Sequence, residues 1–262
     1  MTRTIRMTVA YDGTGFHGWA AQRDPQLRTV AGVLHDHLER ILGDRPRLTV
    51  AGRTDAGVHA RGNVISFPVQ GRVTAVRLAR ALNAALAPEV VVRDAAEVAS
   101  TFSARFSATA REYAYRIDTA PVPDPFTARF VWHRPGDLHL PSMRAAARTL
   151  AGEHDFASFC RHPGAGRSTV RRLERATVRR DGDLFALGFR ADAFLHQMVR
   201  SLVAAIVGVG RGAATIDELA RILAAADRHA SKGRLAPPRG LTLERVVYGR
   251  RPEGRPATSG RR

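Results

Sequence analysis

The chain contains almost no lysine and almost no cysteine, with Lys232 and Cys160 the single examples among 262 residues. One cysteine excludes an intrachain disulfide and any structural metal site built from several thiolates. The longest apolar run, residues 202–210, is about half of the roughly 18 residues that a membrane span needs. The first residues also lack an apolar stretch of signal-peptide length. We therefore expect a soluble, cytoplasmic protein without a membrane anchor.

Arginine is the residue in excess. Lys+Arg number 41 against 24 for Asp+Glu, which gives a formal net charge of +17. A soluble chain with that excess is expected to bind a polyanion, with nucleic acid the first candidate and an anionic membrane surface the second. A GC-rich genome is a further source of arginine, so charge alone does not settle the partner. The 44% hydrophobic content predicts a folded domain with a sizeable core.

Hydrophobic periodicity predicts an α+β protein. In the first hundred residues the order is β-α-β-β-α-β, which is typical of ferredoxin-like or RRM-like folds. The predicted strands are 4–12, 48–51, 63–68 and 90–92, and the predicted helices are 30–42 and 75–86.

A second α/β pattern follows. Its predicted strands are 110–117, 175–180, 184–189 and 243–248, and its predicted helices are 142–150, 194–209 and 216–226. Residues 181–182, Asp-Gly, are a typical hairpin turn. We therefore predict two ferredoxin-like α/β subdomains, 1–100 and 101–249, each with an antiparallel sheet. Residues 250–262 combine Pro, Gly and Arg without periodicity and are predicted to be a disordered basic tail.

One motif has two interpretations. Gly13, Gly15 and Gly18 follow a predicted strand with the spacing of a dinucleotide-binding loop, and Asp36 stands where such a loop has its ribose-binding acid. This pattern would indicate a nucleotide-dependent oxidoreductase. In that fold the third glycine lies inside a helix, whereas here the next helical pattern starts only near Val30. We favour a glycine-rich turn that carries aromatic side chains into the core or against a ligand.

Two charged residues stand out by their surroundings. Asp55 lies on a loop between short predicted strands, with Arg53 two residues before it, and taken alone it is a typical turn residue. Arg200 lies in the middle of an apolar predicted helix, where a buried guanidinium needs a carboxylate partner. Asp55 is a natural partner. The alternative is that Arg200 extends to the surface along its aliphatic stem.

Arginines alternate with aromatics in residues 101–115. Arg105 and Arg111 could hold phosphates, while Tyr113 or Tyr115 could stack on an exposed base. The alternative is that both tyrosines are core residues of a strand. His154, Cys160 and His162 do not form a plausible metal site, because no fourth ligand has suitable spacing. We expect no metal and no cofactor.

Four segments together resemble the tRNA pseudouridine synthase A family. They are YDGTGFHGW (11–19), GRTDAGVHA (52–60), FSARFSATAREYAYR (102–116) and AFLHQMVRSLVAAIVGVG (193–210). The resemblance runs in order from about residue 5 to 248, and GRTDAGVHA is its most specific part. It departs from the family pattern at Ala20, at Ala31 and by one extra residue before Pro88. These departures leave the candidate site residues untouched.

The resemblance implies a function and a set of roles. The function is conversion of uridine to pseudouridine at positions 38 to 40 of the tRNA anticodon stem-loop, without cofactor or metal. Asp55 would be the catalytic residue, with Tyr113 and Arg200 beside it and Arg53 contacting the substrate. The fold would be two α/β subdomains whose antiparallel sheets join around a cleft, in a homodimer. A catalytically silent RNA-binding protein is the alternative.

The net charge generates a prediction about salt. Each phosphate that a protein neutralises adds roughly 0.9 to the slope of log affinity against log salt on duplex, and less on single strands. We expect the affinity for tRNA to fall steeply between low and moderate salt when filter binding is measured over that range. An affinity independent of salt would contradict a basic RNA-binding cleft.

Overall fold

The computed structural model describes residues 3–22, 24, 26–161, 164, 166–231 and 233–249. Over these residues the chain forms a mixed α/β structure of ten strands and five α-helices. The strands are β1 Arg3–Tyr11, β2 Thr49–Val50, β3 His59–Val69, β4 Val90–Val98, β5 Ala108–Asp118, β6 Trp132–His133, β7 Gly152–Asp155, β8 Val170–Asp181, β9 Leu184–Ala191 and β10 Leu241–Tyr248. The helices are α1 Val30–Leu42, α2 Ala75–Leu86, α3 Leu140–Leu150, α4 Met198–Gly210 and α5 Ile216–Ala225.

All ten strands belong to one sheet. Its order is β4-β1-β3-β10-β5-β9-β8-β7, with β2 added beside β3 and β6 beside β5. The last strand, β10, joins the two halves: it runs antiparallel to β5 and pairs with β3 in parallel through Thr242–His59 and Leu243–Ala60. The element order of the first hundred residues is as predicted. The ferredoxin-like character of the halves and the boundary near residue 100 stay predictions, and residues 250–262 lie outside the described part.

The helices cover one face of this sheet. Alternate residues of β1, such as Ile5 and Met7, are fully buried beneath them, because successive side chains of a strand point to opposite faces. On α1 the residues at helical spacing, Leu34 and Leu38, supply the opposing surface and are also fully buried. The other face of the sheet carries ion pairs between neighbouring strands, including Glu112 with Arg190 and Arg245. In the described part of the chain, no helix has the length and apolarity to cross a bilayer.

The helix predicted from Phe194 begins four residues later, at Met198. Gln197, directly before it, has a φ of 66° in the left-handed region, which a right-handed helix cannot contain. Hydrophobic periodicity does not register such a residue, because Phe194 and Leu195 continue the apolar pattern. Residues 192–197 therefore form a loop, and this loop faces the candidate site.

Buried His59 connects three loops at the junction of the halves. Its Nδ1 accepts a hydrogen bond from the Gly13 N–H at 2.9 Å, and its Nε2 lies 3.0 Å from the Arg129 carbonyl and 3.1 Å from the Arg239 carbonyl. Those partners require a neutral ring protonated at Nε2. Burial lowers the pKa of His59, and the nearby Asp12 carboxylate opposes that effect only in part.

The lowered pKa of His59 generates a prediction about pH. As the pH is lowered through about 6.5, the unfolded chain takes up a proton at this residue before the folded chain does. The free energy of unfolding therefore decreases as the pH is lowered, by at most about 1.4 kcal/mol per pH unit. We expect a smaller slope between pH 6.5 and 5 in His59→Gln than in the wild type, measured by urea unfolding at several pH values. An identical slope would show that His59 titrates alike in both states.

Gly240, directly before β10, generates a prediction about packing. A Cβ there would lie 2.6 Å from Cζ of the fully buried Tyr115 and 2.8 Å from the Arg116 carbonyl oxygen. We expect Gly240→Ala to lower the free energy of unfolding by about 1 to 3 kcal/mol.

The matched control is Gly208→Ala in α4, where a Cβ meets no atom within 4 Å. That change is expected to be neutral or to stabilise by up to about 1 kcal/mol, because alanine favours helix. Thermal unfolding of both variants compares them directly. Equal stability of the two would contradict the close packing at Gly240.

Candidate active site

The loop that carries Asp55 is fixed from beneath by a buried polar network. The Tyr11 hydroxyl lies 2.8 Å from Oγ1 of Thr54, and Nδ2 of Asn63 donates to the Gly52 carbonyl at 2.9 Å and to the Tyr11 hydroxyl at 3.2 Å. Because these buried groups satisfy one another, the loop has one well-defined conformation. Asp55 is thereby held at the edge of the site with a side chain 19% exposed.

The glycine-rich motif holds this same loop and shows no cofactor geometry. Gly13–Gly15 is a short 3-10 turn, and Phe16 and Trp19 are buried in the core. The Trp19 N–H donates to the Thr54 carbonyl at 3.0 Å. Gly18 has a φ of 93° and approaches so closely that a Cβ would lie 2.9 Å from the Thr54 carbonyl oxygen. The turn interpretation is confirmed, because these glycines allow two loops to pack against each other.

Arg200 of α4 reaches Asp55 from the other half of the chain. Its Nη1 donates to Oδ2 of Asp55 at 3.0 Å, and its side chain is only 14% exposed. Nε does not join this contact, because it donates instead to the Ala236 carbonyl at 2.8 Å. The guanidinium therefore bridges Asp55 and the segment that leads into β10. The alternative in which Arg200 extends to the surface is wrong.

His196 is a contact of Asp55 that the sequence did not reveal. Its Nε2 lies 3.3 Å from Oδ1, the carboxylate oxygen that Arg200 does not bind, and half of its side-chain surface is exposed. Burial alone would raise the pKa of Asp55, but hydrogen bonds from His196 and Arg200 outweigh burial and lower it. Asp55 is therefore ionised at neutral pH. The feature of the sequence that could have indicated this contact was a histidine four residues before Arg200.

Tyr113 lies within this group of residues. Its ring packs edge-on against Phe194 with centroids 5.1 Å apart, and a Cβ on Gly52 would lie 3.4 Å from its hydroxyl oxygen. Burial, and to a smaller extent the Asp55 charge, raise the pKa of Tyr113 far above its ordinary value. The phenol therefore stays protonated. Tyr115, two residues along β5, is fully buried and donates to the Pro237 carbonyl at 2.8 Å, so it is a core residue.

The three predicted substrate-binding arginines have different surroundings. Arg53 and Arg105 are exposed, and the Arg105 guanidinium lies 5.2 Å from the centre of the Phe106 ring. Arg111 is buried, and its guanidinium donates to the carbonyls of Ala51, Arg105 and Asp192 at 2.7 to 3.2 Å. Arg111 therefore ties the Asp55 loop to two neighbouring segments and is not free to bind a phosphate.

The structure shows no metal site among the residues it describes, where no group of three or more His, Cys, Asp and Glu side chains converges. Nε2 of His154 lies 3.1 Å from the Ala151 carbonyl, and Cys160 is buried. His162 lies outside the described residues.

Comparison with known proteins agrees with this geometry. The family model for tRNA pseudouridine synthase matches residues 7–107 and 146–249. A tRNA pseudouridine synthase A of Moorella thermoacetica is 40% identical over 244 residues, covering 93% of this chain and 99% of the relative. The protein of the same name from Cutibacterium acnes is 44% identical over 254 residues, covering 95% and 89%. The ranges that the family model matches contain Asp55, Phe194 and Arg200. The chain therefore belongs to the tRNA pseudouridine synthase A family.

Proposed function

We propose that this enzyme acts on uridines 38 to 40 of the tRNA anticodon stem-loop. Conversion of tRNA uridine to pseudouridine is the activity of its family and of the relatives it matches. The observation that carries the site assignment is the partly buried Asp55 carboxylate, kept ionised between Arg200 and His196. A net charge of +17 fits a polyanionic substrate.

The reaction needs a carboxylate of this kind. The N1–C1′ bond of uridine must break, the base must turn over, and C5 must then bond to the same sugar carbon. A carboxylate can attack C1′ as the nucleophile, or take a proton from the sugar to give a glycal, and only its ionised form can do either. The Arg200 contact helps to keep Asp55 in that form and fixes Oδ2, while Oδ1 has only the half-exposed His196 beside it.

The remaining side chains suit substrate binding. The target base must leave its stack to be reached, and Tyr113, a buried neutral phenol beside Asp55, is placed to contact the extruded ring. The exposed guanidinium of Arg53 can fill the space left by the base or contact a phosphate, and Arg105 can contact a phosphate in a central basic cleft. Arg111 acts as a positioning residue.

A catalytically silent RNA-binding protein is the weaker alternative. A surface that only binds phosphates gains nothing from a carboxylate, because like charges repel. Here the Asp55 carboxylate is held in place by the buried network under its loop and by contacts with Arg200 and His196. This arrangement favours a chemical role for Asp55.

The proposed site generates a prediction about Asp55. We expect the wild type to form pseudouridine at positions 38 to 40 of a tRNA transcript, and Asp55→Ala to form none while binding the transcript as tightly, because arginines elsewhere hold the phosphates. Chemical mapping of pseudouridine measures both. Asp36→Ala is the matched control, since Asp36 is an exposed carboxylate on α1 that pairs with Arg45.

Two outcomes would contradict this assignment. Appreciable pseudouridine formation by Asp55→Ala would remove Asp55 from the chemistry. Modification of uridines only outside the anticodon stem-loop would leave the activity intact and refute the proposed position.

The subunit arrangement is a further part of the proposal. We propose that the enzyme is a cytoplasmic homodimer. We also propose that each half of the chain has a ferredoxin-like arrangement. Exposed apolar side chains often mark subunit contacts, and the segment between β5 and β6 presents Val122 (74% exposed) and Phe126 (90% exposed). A tRNA is also large relative to a 28.5 kDa subunit.

The homodimer generates a prediction about mass. We expect light scattering to give twice the subunit mass at working concentration, and Phe126→Ser to shift the mass toward that of a monomer. Val76→Ser is the control, because Val76 is an exposed apolar residue (55%) on a different element, α2. A monomer mass for the wild type would refute the homodimer.

A further inference from the structure

The backbone on either side of His196 is fixed although its side chain is half-exposed. The Arg161 N–H donates to the His196 carbonyl at 3.0 Å, and Nη2 of Arg228 donates to Oε1 of Gln197 at 3.1 Å. Gln197 occupies the left-handed region, so the chain reverses here before α4 begins. The imidazole is thus carried on a defined loop to a position beside Asp55, with half of its side-chain surface exposed.

The Asp55 carboxylate is divided between two partners. Arg200 binds Oδ2 and is itself held by the Ala236 carbonyl, so that side of the carboxylate is fixed. Nε2 of His196 lies 3.3 Å from Oδ1, the oxygen that Arg200 does not bind. When Nε2–H points to this oxygen, Nδ1 carries the lone pair of the neutral imidazole. Carboxylates commonly orient a catalytic imidazole in this way.

The isomerisation requires a group that accepts a proton from C5. Once the C5–C1′ bond has formed, C5 still carries its hydrogen. That hydrogen leaves as a proton, its electron pair forms the C5–C6 double bond, and the electrons of the N1–C6 double bond move to N1, which takes up a proton. The net change is transfer of one proton from C5 to N1, so no oxidant, reductant or other reactant is needed.

Two of the titratable side chains around Asp55 are poor acceptors. The hydrogen bonds from His196 and Arg200 lower the pKa of Asp55 despite its burial, which makes the carboxylate a weak base. Burial raises the pKa of Tyr113, so its hydroxyl is protonated and cannot accept the proton as a phenolate. Histidine is the side chain whose ordinary titration lies near neutral pH.

We propose that His196 is the general base that removes the proton from C5 after the new carbon–carbon bond has formed. The protonated imidazole then stands beside the ionised Asp55 carboxylate, which stabilises its positive charge. Returning the proton to N1, directly or through water, resets the site. This role rests on the conversion of uridine to pseudouridine described above. It assigns a residue to the step that follows formation of the C5–C1′ bond.

The test uses His196→Gln, whose side-chain amide can still donate to Asp55 but cannot take up a proton. We expect kcat to fall about a hundredfold with little change in KM, which is the lower end of the usual effect of a general base. Deuterium at C5 of the substrate uridines should slow this variant more than the wild type, because C5–H cleavage has become rate-limiting. His139→Gln, an exposed histidine at the start of α3, is the matched control.

A second substrate separates this role from mere positioning of Asp55. In a tRNA that carries 5-fluorouridine the C5 substituent cannot leave as a proton, so the reaction stops once the C5–C1′ bond has formed. His196→Gln should form that product as fast as the wild type in a single turnover. Equal slowing on both substrates would show that His196 acts before deprotonation and would overturn the proposal. Unchanged kcat on the normal substrate would overturn it as well.

Discussion

The ion pair between Asp55 and Arg200 is the constraint on which the site depends. A partly buried carboxylate without a cation would take up a proton, and a partly buried guanidinium without an anion would be strongly destabilising. Asp55 comes from a loop between β2 and β3, while Arg200 comes from α4 in the other half of the chain. Neither residue is suited to its surroundings alone, so the two halves must meet in one relative position.

The sheet provides that position. β10 lies between β3 and β5, and the segment leading into it accepts the Nε hydrogen bond of Arg200 through Ala236. His59 binds the Gly13 loop on one side and the Arg239 carbonyl on the other, which joins the same halves a second time. Buried Arg111 adds a third connection beneath the Asp55 loop. Catalytic geometry and fold stability therefore share the same contacts.

Local features of the fold were predictable from sequence, whereas long-range features were not. The bounds of α1 and α2 agree with the prediction, because capping residues and apolar spacing act within a few residues; Thr29 caps α1, and Gly43 ends it with a φ of 79°. The insertion of β10 between β3 and β5 depends on pairing across the whole chain, which no local pattern records. The start of α4 was misplaced because the left-handed backbone of Gln197 stops the helix there, while the apolar pattern continues through Phe194 and Leu195.

The candidate site shows the same division. The buried charge of Arg200 in an apolar segment indicated its partner correctly, because desolvation makes that pairing obligatory. His196 lies half in solvent, where a polar residue needs no partner, so its contact with Asp55 left no signal in composition. Arg111 looked like a phosphate ligand because the sequence shows its charge but not the three carbonyls that surround it.

The dependence of the single-turnover rate on pH tests the central claim, that Arg200 keeps Asp55 ionised. Removing the charge in Arg200→Met should raise the pKa of Asp55, so the rate should begin to fall at a higher pH as the solution is acidified. Arg200→Lys keeps a cation but lacks the planar guanidinium, so its turnover should drop with a smaller displacement of the acidic limb. An acidic limb in Arg200→Met at the same pH as in the wild type would contradict the account.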